Sequence, residues 1–127
     1  MKTCLITGGA RGIGRAITNI MLQNGYRVLA TYCNEVDSSF DGFTLDFENN
    51  LGKANLILKD VDFSDKESLD RFIDFLDDFG EIDCLINNAA VCYFSDFLDI
   101  SYEILERTMA INLYAPFLLT QKVGGLM

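Results

Sequence analysis

Two patterns and one motif predict a doubly wound α/β fold built on a parallel sheet. Short apolar runs that read as strands buried on both faces alternate with segments of helical periodicity. That alternation implies right-handed crossovers, with helices on both faces of the sheet. A glycine-rich turn lies between the first run and the first helical segment, where folds of this class bind anions. The 127 residues suit one domain. No internal repeat, low-complexity tract or interdomain linker divides them.

Met1 to Thr7 contains Cys4-Leu5-Ile6 and predicts the first strand. Ile13, Ala16, Ile17 and Ile20 then recur at helical spacing, and Asn24-Gly25 supplies a stop signal. Tyr26 to Tyr32 predicts the second strand, centred on Val28-Leu29. The stretch 34–53 reads two ways. Phe40, Phe43, Phe47 and Leu51 form one helical seam, whereas Phe43, Leu45 and Phe47 alternate with Thr44 and Asp46 as in a strand. A helix is expected because a parallel crossover needs one, although Gly42 and Thr44 are poor helix formers.

Leu56-Ile57-Leu58 predicts the third strand, running toward Asp62. Ser64-Asp65-Lys66-Glu67 is a capping box. It opens a helix with Leu69, Phe72, Ile73 and Leu76 inward and Asp70, Asp74 and Asp77 outward, and Gly80 closes it. Ile82 to Ile86 predicts the fourth strand, ending at Asn87-Asn88. Ser101 caps a long final helix carrying Ile104, Leu105, Thr108, Asn112 and Leu118-Leu119. Pro116 lies inside that helix and should bend it.

The net charge is −9, which argues against a nucleic-acid partner because phosphate backbones are repelled. The acidic stretch from Asp60 to Asp83 reads as a solvated helix face. Cys4, Cys33, Cys84 and Cys92 form no C-x-x-C pair, and no histidine is present to complete a zinc site. Cys4 and Cys84 sit in apolar runs, so packing is their expected role. No run approaches the roughly 20 apolar residues of a membrane span, and Met1-Lys2 leads straight into a strand rather than a signal peptide. A reduced, cytoplasmic setting is expected.

The turn reads Thr7-Gly8-Gly9-Ala10-Arg11-Gly12-Ile13-Gly14. Gly8 lets the chain turn tightly, Gly12 removes a side chain where backbone must approach phosphate, and Gly14 lets the helix pack on the sheet. The first-turn N–H groups and the positive end of the helix dipole face the anion. The alternative is a glycine-rich turn with no ligand. The spacing is G-x-x-x-G-x-G, and its strand–turn–helix context adds weight to it.

With these residues in view, the sequence resembles the N-terminal half of the short-chain dehydrogenase/reductase family, in particular its 3-oxoacyl-[acyl-carrier-protein] reductase-like branch. Four motifs match in order: Thr7-Gly8-x-x-x-Gly12-Ile13-Gly14, Asp62-Phe63-Ser64-Asp65, Asn87-Asn88-Ala89-Ala90 and Asn112 in Ile111-Asn112-Leu113. Ala90 stands where the family more often has glycine. The resemblance implies a Rossmann-like domain over 1–127 that holds a nicotinamide dinucleotide. It implies that Asp62 accepts a hydrogen bond from the adenine amino group, with the Phe63 backbone assisting. Asn87 and Ala89 then line the adenosine ribose, and the asparagines also brace the sheet. Asn112 helps hold a water in a proton relay behind the catalytic lysine, or its amide is simply satisfied by nearby backbone.

Cofactor choice follows from charge. NAD-specific relatives usually carry a carboxylate at the end of the second strand, where this chain has Thr31 and Tyr32. Arg11, before Gly12, resembles the basic residue of NADP-preferring members, and its fork of donors suits phosphate. NADP(H) is therefore favoured over NAD(H), with Glu35 and Asp37 as the opposing observation.

The family's reaction is hydride transfer between nicotinamide and a carbonyl or alcohol carbon of a small substrate. It uses a serine and a Tyr-x-x-x-Lys pair on one helix face. Four residues after Tyr26, Tyr32, Tyr93, Tyr102 and Tyr114 stand Ala30, Val36, Phe97, Glu106 and Leu118, none of them lysine. The catalytic pair and serine are expected beyond Met127, so the sheet is expected to be truncated after about four strands and the long final helix. Such a chain exposes an apolar strand edge that invites self-association. Three functions remain open: part of an NADP(H)-dependent oxidoreductase, inactive alone; a non-catalytic nucleotide-binding or regulatory module; or a non-functional remnant.

Overall fold

The computed structural model describes residues 1–34, 45–46 and 55–127. The apolar runs pair as a fully parallel sheet of β1 (Thr3–Ile6), β2 (Arg27–Tyr32), β3 (Leu45–Asp46), β4 (Leu56–Asp60) and β5 (Cys84–Ile86), in the order β3-β4-β2-β1-β5. The register sets Cys4 beside Val28 and Cys84, and Val28 beside Leu56. From β1 the chain works outward through β2 to β4, then crosses back to the far side of β1. Open α/β sheets bind ligands at such a reversal, beyond the carboxyl ends of the strands.

Side chains alternate across the sheet with the strand period of two. Cys4, Ile6, Val28, Ala30, Leu56 and Leu58 pack with Leu22 of α1 (Gly12–Gln23). Leu5, Leu29 and Ile57 pack with Leu69, Phe72 and Leu76 of α2 (Lys66–Phe79) and with Leu119 and Val123 of α4 (Ala115–Leu126). Cover on both faces is why the strands read as continuous apolar runs.

Four local readings change. The buried seam of α1 is Gly14, Thr18 and Leu22, whereas Ile13 is 77% exposed and Ile20 56%. Distance explains the rotation: a Cβ on Gly14 would lie 1.9 Å from the Gly8 carbonyl oxygen. Only glycine fits at that contact, and Ile13 and Ile20 turn outward while Ile17 stays partly buried against the core. Secondly, α2 is capped by Asp65, whose carboxylate accepts the Glu67 N–H at 3.1 Å, and not by Ser64. Its inward residues Leu69, Phe72 and Leu76 are buried as expected, with Asp70, Asp74 and Asp77 exposed.

Thirdly, the helix expected over 34–53 does not run through Leu45–Asp46. These residues pair in parallel with Leu56 and Ile57, so a two-residue strand joins the four expected. The exposed edge of β4 offers backbone groups that recruit it. Phe40, Gly42, Phe43, Thr44, Phe47 and Leu51, like Glu35 and Asp37, lie outside the described residues. Fourthly, the long final helix is interrupted. Ser101 caps α3 (Tyr102–Met109), its Oγ accepting the Ile104 N–H at 3.2 Å. Residues Ala110–Tyr114 then form one wide turn of i→i+5 hydrogen bonding, and α4 follows with Pro116 in its first turn. Pro116 has no N–H for the Asn112 carbonyl four residues back, and its ring crowds that carbonyl. The expected disturbance takes the form of this wide turn.

Phe72 is 1% exposed, lies edge-on to Phe63 at 6.4 Å and stacks on Phe75 at 6.1 Å. We expect Phe72→Ala to cost about 3–5 kcal/mol, a large share of the ~5–15 kcal/mol of a small domain. The urea midpoint of unfolding checks this, and an unchanged midpoint would contradict the assignment of Phe72 to the core.

Candidate functional site

The turn after β1 is pinned from both sides. Gly8 and Gly12 have φ of 64° and 57°, the left-handed region that favours glycine. The Thr7 hydroxyl accepts the N–H groups of Asn88 at 2.9 Å and Ala89 at 3.0 Å. Asn88 Nδ2 donates to the Thr7 and Gly8 carbonyls, each at 3.1 Å. Across the turn, the Thr31 hydroxyl accepts the Gly8 N–H at 3.1 Å and the Thr31 carbonyl accepts the Gly9 N–H at 3.0 Å. Gly9 is a second close-packing position, since a Cβ there would lie 2.8 Å from both Ala30 Cβ and Thr18 Oγ1. Gly12 differs, because the space a Cβ would enter is open.

These strand ends enclose a cleft of ≈ 510 Å³, within the roughly 300–1,000 Å³ of small-molecule sites. Gly8, Arg11, Gly12, Ile13, Gly14, Thr31, Tyr32, Asp62, Phe63 and Ala89, all expected site residues, line it. Asn87 and Asn112 do not. Asn87 is exposed, and its Nδ2 donates to Thr120 Oγ1 at 3.1 Å, tying the end of β5 to α4. Asn88, its neighbour, lines the cleft and does the bracing. Asn112 Oδ1 accepts the Val91 N–H at 2.9 Å and its Nδ2 donates to the Val91 carbonyl at 2.7 Å. Backbone thus satisfies this helix-interior amide at both ends, and the contact fastens the loop after β5 to the wide turn.

Charge is arranged around the cleft. No acidic residue stands in the first turn of α1, and exposed Arg11 precedes it. Asp62 Oδ1 accepts two hydrogen bonds from Ser64, from Oγ at 2.6 Å and from N–H at 2.9 Å. The Ser64 hydroxyl holds the Asp62 carboxyl below its ordinary value; burial opposes this, while the Ser64 N–H and the Arg107 charge add to it. Burial and the charges of Asp62 and Asp60 push the Cys33 thiol up, against the pull of Arg107 and Arg11. Arg107, which no sequence pattern marked, donates from Nη1 to Ser64 Oγ at 2.9 Å and from Nε to Tyr93 Oη at 2.7 Å.

Cys4 faces Cys84 on the neighbouring strand, and burial with the Cys84 thiol beside it pushes the Cys4 thiol up to about 12. That is a packing thiol, not a nucleophile. All four cysteines are free. Among the described residues, no cluster of His, Cys, Asp or Glu could hold a metal ion, and no helix is long and apolar enough to cross a membrane.

Residues 2–127 match the family model described as short chain dehydrogenase. The chain belongs to the short-chain dehydrogenase/reductase family of oxidoreductases, and its parallel sheet with flanking helices is that family's Rossmann-like fold. It is 35% identical over 125 residues to the L-rhamnose 1-dehydrogenase (NADP(+)) of Thermoplasma acidophilum, covering 97% of this chain and 48% of that one. A blue fluorescent protein from a metagenomic library, solved in complex with NADPH, matches at 26% identity and TM-score 0.76, over 99% of this chain and 51% of its own. A 4-hydroxyisoleucine dehydrogenase complexed with NADH matches at 26% identity and TM-score 0.79, over 98% and 49%. The chain spans about half the length of the relatives it matches.

Two outcomes follow from the geometry. Gly14→Ala drives a methyl into the Gly8 carbonyl and is expected to cost about 1–3 kcal/mol or more, whereas Gly124→Ala meets nothing within 4 Å and is expected to be neutral or mildly stabilising. Thermal melts of the two variants check the contrast. The Asp62 carboxyl is held low in the folded chain, so its stabilisation is full above roughly pH 4 and is lost as pH falls through the folded value. Ser64→Ala, which removes the principal cause, should flatten the decline of Tm as pH falls below about 4; a decline as steep as in the parent chain would refute this.

Proposed function

We propose that this chain is the cofactor-binding half of an NADP(H)-dependent oxidoreductase that moves hydride to or from a carbonyl or alcohol carbon. The observation that carries the reading is the open cradle over Gly12, where exposed backbone meets a cleft at the reversal point of the sheet. A pyrophosphate fits there. The N–H groups opening α1 hold it, Gly12 and Ile13 let it approach, and Gly8 and Gly14 keep the turn in place. Asp62 accepts the adenine amino group, the Phe63 backbone assists, and Ala89 lines the ribose. Thr31 and Asn87 act through the scaffold, one by holding Gly8 and the other by holding α4. Asn112 holds the Val91 loop against the helix. The dinucleotide, when bound, supplies the hydride donor or acceptor.

Arg11 supports the NADP(H) preference. It lines the same cleft as Tyr32 at the end of β2, and no carboxylate stands at Thr31 or Tyr32 to repel a 2′-phosphate. In a fluorescence titration we expect NADPH to bind about tenfold or more tightly than NADH, as charge-assisted hydrogen bonds warrant. Arg11→Ala should erase that margin and leave NADH binding unchanged. Equal affinities in the parent chain would refute the preference, and binding of neither would refute the cofactor reading.

The 127 residues contain no Tyr-x-x-x-Lys, so on their own they should show no turnover with carbonyl substrates, general acid–base groups being worth ~10²–10⁴ in rate. The same observation favours, as a second reading, a nucleotide-binding module. The exposed side chains of Phe94, Phe97, Leu98, Tyr102 and Phe117 support self-association of the isolated chain, which sedimentation would reveal as a concentration-dependent mass.

A further inference from the structure

We infer that Arg107 is a positioning residue for adenine recognition, acting through Ser64 to fix which oxygen of Asp62 faces the base. The inference rests on the cofactor reading above and extends it to a residue outside its motifs. Arg107 Nη1 lies 2.9 Å from Ser64 Oγ, although the two residues are 43 apart in the chain. Ser64 Oγ lies 2.6 Å from Asp62 Oδ1. A guanidinium only donates and a carboxylate only accepts. The single hydroxyl proton of Ser64 must therefore point to Asp62, and its lone pair must take the arginine N–H. The direction Arg107 to Ser64 to Asp62 is forced by chemistry, and each bond polarises the next.

The consequence lies at Asp62. Both bonds from Ser64 fall on Oδ1, so Oδ2 is the oxygen left to accept an amino group in the cleft that Asp62 and Arg107 both line. Without Arg107, the Ser64 hydroxyl can rotate away and release the carboxylate to turn. The guanidinium is steadied from its other side by Tyr93 Oη, which accepts from Nε at 2.7 Å. Three separate segments, the Asp62–Ser64 corner, the loop after β5 and α3, are joined through one side chain.

The test uses NADPH and its hypoxanthine counterpart, in which a carbonyl replaces the adenine amino group. Dissociation constants are measured for the parent chain, Arg107→Met, Ser64→Ala and the double variant, with thermal melts confirming that each is folded. The parent chain should prefer adenine. Arg107→Met, which keeps the apolar stem and removes the donors, should lower that preference about three- to tenfold. Ser64→Ala should do the same, and the double variant should lose no more than either single one, because the two residues act in series. Tyr93→Phe should show a smaller loss of the same kind, which keeps the idea testable if Arg107→Met folds poorly. A preference unmoved in Arg107→Met, equal losses for both dinucleotides, or additive losses in the double variant would each overturn the proposal. A parent chain that binds neither probe would instead overturn the cofactor reading itself.

Discussion

The closeness of α1 to the end of β1 is the constraint on which the remaining structure depends. Gly14 and Gly8 approach so tightly that no Cβ fits between them, and Asn88 Nδ2 occupies the remaining space. This contact rotates α1 until Gly14 and Thr18 face the sheet, and it leaves Ile13 at the mouth of the cleft. The hydrogen bonds of Thr7, Thr31 and Asn88 then hold the turn from the ends of β2 and β5. A turn fixed in advance loses little freedom when a ligand arrives, which is how preorganisation contributes to affinity.

The chain is strongly acidic overall, with a net charge of −9, yet the proposed function places an anion in its cleft. Local geometry resolves the conflict. Backbone N–H groups at a helix start carry partial positive charge without a basic side chain. Arg11 stands at that start, Arg107 also lines the cleft, and the acidic residues of α2 are exposed to solvent. Among the described residues, the one carboxylate lining the cleft is Asp62, which is oriented by Ser64.

Asn112 and Pro116 explain the interrupted final helix together. Asparagine competes with helix backbone and proline cannot complete it. The structure accommodates both by widening one turn and by giving the Asn112 amide two partners on Val91. The loop leaving β5 is thereby held near the cleft. At β5 itself, the sheet ends on a strand whose residues are only half buried, in a chain about half as long as its relatives.

The sequence by itself determined four of the strands, the glycine turn and the inward face of α2, and ten of the residues it singled out, from Gly8 to Ala89, line one cleft. These follow from local periodicity and from motifs whose spacing is short, so near neighbours suffice to read them. Only the tertiary structure decided between adjacent candidates: Thr18 over Ile17 in α1, Asn88 over Asn87 at the brace, Asp65 over Ser64 at the cap. The brace turns on partners far away in the chain, Asn88 bonding to Thr7 and Gly8, whereas the seam of α1 and the cap of α2 turn on contacts between near residues, Gly14 against Gly8 and Asp65 against Glu67. Leu45–Asp46 joined the sheet for a similar reason, because the edge of β4 competed with local helical spacing. Arg107 left no local signal, since its place in the site comes from partners that only the folded chain brings within hydrogen-bonding reach.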